Sequence, residues 1–127
     1  MTARLVSAVL FAVGLLHLVP ALGVFSAERL AQLYGAPPQG EAIVLLLRHR
    51  AVLFALLGAF CCAAAFVPAW RTPALAAALV STASFIALGW NQSLGPSLRV
   101  VWWADVVAAT LLLIALAMLQ IRPSSTA

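Results

Sequence analysis

Four apolar runs dominate the chain: Leu5–Val24, Ala42–Val67, Ala74–Trp90 and Leu98–Ile121, separated by shorter polar links. At ~1.5 Å per helical residue, about twenty such residues cover the ~30 Å hydrocarbon core of a bilayer. A backbone inside lipid must satisfy its own hydrogen bonds, so each run is expected as a spanning helix. Two of the three links are short, which makes helix neighbours antiparallel. The fold class that follows is all-α: a transmembrane, antiparallel four-helix bundle forming a single domain.

Composition excludes the soluble alternative. Hydrophobic residues make up 65% of the sequence and charged residues only 8%, against about a quarter in an ordinary soluble domain. The net charge of +4 comes from arginine alone, since the sequence has no lysine. These arginines stand one or two at a time between apolar runs, which is no footprint for nucleic acid. A planar guanidinium suits lipid headgroups or an anionic partner better. Cys61 and Cys62 are adjacent inside an apolar run and read as small packing residues. With two distant histidines they do not make up a metal site.

The first run begins as a signal peptide does, with a basic residue before an apolar stretch. Its length, His17, Pro20 and the lack of a small-x-small cleavage site assign it as a retained helix. The connector from Phe25 to Glu41 has its own pattern. Ser26 is placed to cap a short helix, Leu30, Leu33 and Tyr34 fall along one side, Gly35 ends it, and Pro37-Pro38 forbids continuation. A short amphipathic helix lying at the membrane surface is expected there. Val67–Pro73 reads as a tight polar-aromatic link, Asn91–Ser97 as a turn, and Arg122-Pro123-Ser124-Ser125 as the end of the fourth span.

Small residues four apart (Gly58 with Cys62, Ala77 with Ser81, Ala104 with Ala108) provide for close helix approach. Trp70 at one boundary and Trp90, Trp102 and Trp103 at the other suit the aromatic belts of a bilayer.

In an antiparallel arrangement the 25–41 connector and the 91–97 turn emerge on one side. His17, Arg48, His49 and Asp105 then lie about two turns below that surface, and Asn91 and Gln92 close the third span beside them. The opposite half is expected to hold almost nothing polar except Cys61, Cys62, Ser81 and Thr110. A charge at the centre of a span costs about 2.5–3.5 kcal/mol on insertion scales, so charges there are paired or functional. Arg48 with Asp105 is the expected pair. Arg48 and Arg50 point roughly 200° apart on a helix, so only one of them faces the interior while the other snorkels outward.

The expected ligand-binding set is therefore Arg48, His49, Arg50, Asp105, His17, Asn91 and Trp102. A structural role remains open for each: a helix-locking ion pair for Arg48 and Asp105, interface anchoring for Trp102 and Trp103, a hydrogen-bonded interior ring for His17. A haem between His17 and His49 would force so small a bundle to open, and no other feature asks for one. Glu28, Arg29 and Glu41 read as solvated or headgroup-paired charge. With Arg48 and Arg50 set aside, the side carrying Arg4, Arg71 and Arg122 becomes cytoplasmic, with both termini inside.

Three features in order, Leu33-Tyr34-Gly35, then Leu47-Arg48-His49-Arg50-Ala51-Val52-Leu53-Phe54, then Asp105 in the last span, resemble small bacterial membrane proteins of the DoxX-like kind. The resemblance covers essentially the whole chain. It implies a four-helix protein of the bacterial inner membrane, in a grouping of respiratory accessory subunits and chaperone-like proteins. Sequences that look like this one are often labelled phosphopantetheine adenylyltransferase. That activity uses a nucleotide-binding α/β fold with a His-x-Gly-His motif, and Gly14-Leu15-Leu16-His17, inside a spanning run, is no such motif. A glycine-rich phosphate loop is also missing.

Three functions fit these residues. One is an accessory protein binding an amphipathic molecule (lipid, isoprenoid or quinone) by its head. Another is a small membrane enzyme, an isomerase or transferase using Asp105 or His49 as acid/base. The last is a structural subunit of a larger membrane complex or homo-oligomer. A pore through one copy is disfavoured because no polar stripe runs the full width of the bundle.

Overall fold

The computed structural model describes residues 1–35 and 37–121. Its described residues form helices joined by turns, without strands: α1 (Thr2–Ala21), α2 (Ala27–Tyr34), α3 (Glu41–Phe66), α4 (Arg71–Gly89) and α5 (Pro96–Gln120). The four long helices are each long and apolar enough to cross a membrane. Large apolar side chains cover much of the exterior, among them Leu45, Leu56, Val80, Leu88 and Val107.

Prolines and glycines place the helix ends. Pro20 sits in the last turn of α1, which tightens into a 3₁₀ turn at Leu22–Val24. Pro68 closes α3 and opens a second 3₁₀ turn, Pro68–Trp70, that runs straight into α4. The 67–73 link is thus mostly helical, and α4 starts at Arg71, before the expected Ala74. Pro73 is tolerated in that first turn, where no N–H partner is needed. Pro96 starts α5 in the same way. Gln120 is the last residue of α5, and the expected stop from Arg122 to Ser125 lies outside the described residues.

The connector helix α2 forms where its capping residues predict. The Ser26 hydroxyl accepts from the Arg29 N–H at 3.2 Å. Gly35, at φ +77°, donates its N–H to Ala31 at 2.8 Å, in a left-handed conformation that glycine alone adopts freely. The exposed Glu28 carboxyl is held below its ordinary range by its own backbone N–H and the Ser26 hydroxyl. Leu30 is fully buried against Gly23, whose hydrogen leaves room for it.

α1 packs chiefly on α3, and α4 on α5. Along α1 and α3 the partners run in opposite sequence order: Ser7 with Ala65, Phe11 with Cys62, Gly14 with Gly58, His17 with Phe54. Gly14 and Gly58 let the two backbones touch. A Cβ on Gly14 would fall 2.9 Å from the Gly58 carbonyl oxygen, and one on Gly58 2.8 Å from that of Gly14. Cys62, one turn on from Gly58, packs against Gly14. The other small-residue spacings behave differently. Ala108 is buried, whereas Ala77 is exposed.

The core fills the half of the molecule remote from α2. Leu10, Cys61, Ala64, Leu75, Ala78 and Leu112 are its centre, mostly small residues that permit close helix approach. That end also holds a polar cluster, a correction to the expectation of almost none. The Ser7 hydroxyl donates to the Ala65 carbonyl at 2.7 Å, and Arg71 Nη2 donates to Ser7 Oγ at 2.9 Å and to Ala65 at 3.4 Å. Arg71 thereby ties α1 and the last turn of α3 to the start of α4, and satisfies a carbonyl that the helix end leaves free.

Candidate functional site

The half nearest α2 is built around a cavity of about 240 Å³. α1 supplies Leu16, His17, Val19 and Pro20, α2 supplies Leu33 and Tyr34, α3 supplies Arg50 and Phe54, and α4 supplies Phe85. Leu98, Val101 and Asp105 of α5 recur at three- and four-residue spacing and so share one helix face toward it. The wall is apolar except for His17, Tyr34, Arg50 and Asp105.

Each polar group is set by its own helix. His17 is 4% exposed, and its Nδ1 lies 2.9 Å from the Val13 carbonyl one turn earlier. A carbonyl only accepts, so Nδ1 carries the proton and the neutral ring keeps Nε2 as an acceptor. Among the described residues Nε2 has no hydrogen-bond partner. The ring also packs on Phe54, with centroids 5.6 Å apart.

Arg50 and Phe54 are four apart on α3 and therefore on one face. The Arg50 guanidinium carbon sits 5.0 Å from the Phe54 ring centroid, 5.2 Å from that of Phe85 and 6.0 Å from that of Tyr34. Three rings from three helices thus hold one cation, at distances where the ring faces attract it. A guanidinium stacked in this way keeps N–H donors along its edge. Arg50, Phe54 and Phe85 also bound a second, more open hollow of about 310 Å³ between α3 and α4, with Ser81 and Ser84 in its wall.

The structure sorts the expected residues. His17, Arg50 and Asp105 come together in the cavity. Arg48 does not: it is exposed and lines a separate surface groove with Gly40, Glu41 and Val44. The arginine that shares a cavity with Asp105 is Arg50, because the two-residue offset turns Arg48 to the outside. His49 is exposed on α3, so it does not meet His17, and Asn91 is exposed in the turn before α5. Trp102 is a packing residue. Its indole N–H donates to the Ile86 carbonyl at 3.1 Å, and its ring sits on Gly89 between Trp90 and Trp103. That trio borders a shallow groove with Arg99.

Sequence reasoning missed Tyr34, Phe54 and Phe85 as site residues. The i, i+4 spacing of Arg50 and Phe54 was a usable signal, and so was Tyr34 on the apolar side of α2. Phe85 carried none, since only tertiary packing brings α4 to Arg50. No protein-family model matches the chain, and no curated protein or solved structure matches it.

Proposed function

We propose that this protein is an integral membrane, antiparallel four-helix bundle that binds an amphipathic small molecule by its head in the His17–Tyr34–Arg50–Asp105 cavity. Its role is accessory, and its place is the bacterial inner membrane with both termini cytoplasmic. α2 lies along the membrane surface and covers the cavity. The DoxX-like resemblance of the sequence fits this reading. The observation that carries it is the convergence of four polar side chains from four helices on a cavity that is otherwise apolar. A ligand site is generally just this, an apolar hollow with few polar groups that orient the ligand. A bundle needing only stability would fill the space with side chains, as the opposite half does.

The head would meet Arg50 as donor, His17 Nε2 and Asp105 as acceptors, and Tyr34 as either. Lipids, isoprenoids and quinones all have such heads on apolar tails. Native mass spectrometry of the detergent-solubilised protein, with extraction of what it carries, tests the reading. A retained molecule should survive Arg48→Ala and be lost in Arg50→Ala, with both variants folded. Retention in Arg50→Ala would sink the proposal, and a stoichiometric protein partner in place of a ligand would favour a structural subunit.

A further inference from the structure

The charges in the cavity and the residues at its mouth narrow the ligand class, on the premise that the cavity is a ligand site. Two of its four polar groups are charges of opposite sign, Arg50 and Asp105; Tyr34 and the Nδ1–H tautomer of His17 complete it as neutral hydrogen-bonding groups. Among the described residues no other arginine, aspartate or glutamate lines it: Arg48 and Glu41 border a different groove, and Arg99 lies with the indoles. The cavity is therefore balanced. A phosphate brought into it would add one to two negative charges beside Asp105, against a single cation already opposed by that carboxylate. Desolvating such a group without surplus positive charge is unfavourable. A neutral head carrying hydroxyl or carbonyl oxygen meets no such cost and has a partner for each oxygen.

The mouth says where the ligand comes from. Leu16, Val19 and Val100 line the cavity yet are exposed, at 37%, 50% and 71%. They belong to α1 and α5, so the cavity opens sideways between those helices through apolar side chains. Leu33 and Tyr34 of α2 stand in its wall at the connector end. The volume, about 240 Å³, is below the ~300–1,000 Å³ usual for sites that enclose a drug-sized ligand, so it takes a head and leaves the tail outside.

We infer that the ligand is an electrically neutral, hydroxyl- or carbonyl-headed single-chain amphiphile that enters laterally from the lipid between α1 and α5, and that Asp105 is the group that rejects phosphate-headed lipids. Isoprenoid alcohols and quinones share this chemistry. The purified protein in detergent is titrated with farnesol, decylubiquinone, farnesyl phosphate and dioleoyl phosphatidic acid, with bound species counted by native mass spectrometry. Farnesol or decylubiquinone should bind about ten-fold or more tighter than farnesyl phosphate, and whichever binds better tells hydroxyl from carbonyl. Asp105→Asn should raise farnesyl phosphate affinity about ten-fold, since it leaves Arg50 unopposed. Val100→Trp, at an exposed position, should block the mouth and weaken the neutral probe about ten-fold. Equal or tighter binding of farnesyl phosphate by the wild type would overturn the neutral-head inference and leave the binding reading standing. Binding of none of the four probes would overturn both. Should Asp105→Asn fail to fold, the wild-type ranking and Val100→Trp still decide.

Discussion

The two halves of this helical bundle use different kinds of residue to opposite ends. Remote from α2, glycine, alanine and cysteine bring helices into backbone contact, and Leu10, Leu75 and Leu112 fill what remains. Near α2, Phe54, Phe85 and Tyr34 gather around Arg50 and leave a cavity open beside His17 and Asp105. One half is closed by small residues, and the other is propped open by aromatic ones. Polarity differs in kind as well. The Ser7 hydroxyl, Arg71 Nη2 and the Ala65 carbonyl are engaged with one another, whereas among the described residues His17 Nε2 has no hydrogen-bond partner. Close packing and the open cavity are thereby separated along the helix axes.

The largest way to break the contrast is Gly58→Val. Its Cβ would fall 2.8 Å from the Gly14 carbonyl oxygen, and a backbone atom cannot step aside. The α1–α3 contact should part at a cost of about 3 kcal/mol or more, read as a large fall in thermal midpoint in detergent. Next comes a matched pair. Leu75→Ala empties a fully buried site in the packed half and should cost about 2–4 kcal/mol. Leu98→Ala enlarges a cavity that already exists and should cost about 1 kcal/mol. Equal losses would mean that the α2 half is as tightly packed as the other, against the geometry. An effect between the two members of that pair should come from Arg71→Ala, which removes two hydrogen bonds and frees the Ser7 hydroxyl. About 1–2 kcal/mol is expected, with faster hydrogen exchange at the end of α3 and unchanged ligand retention. A loss of ligand in that variant would show the two halves to be coupled.

Much of this was legible in the residues, for identifiable reasons. The number of long helices, their approximate limits and the short helix between the first two follow from run length, capping and proline placement. These are local effects, settled within a few residues of chain. The depth of His17 and Asp105 along their helices is local too, which is why they were found. Arg48 was mistaken for Arg50 because two residues on a helix differ by about 200° in direction but by only ~3 Å in depth. Depth can be counted along a sequence. Direction needs a neighbour.

Local residue patterns therefore settle the class of the protein: four apolar helices, too poor in charge for water, with a few ionisable groups gathered toward one end. The tertiary structure decided which of those groups share a cavity and which are turned outward. It also decided that Phe85 and Tyr34 join Phe54 around Arg50, that Gly14 meets Gly58, and that Ser7 and Arg71 seal the far end. Each of these is a contact between helices far apart in the chain. Its energy depends on helix rotation and approach, which the packing of small residues against one another sets and no single run encodes.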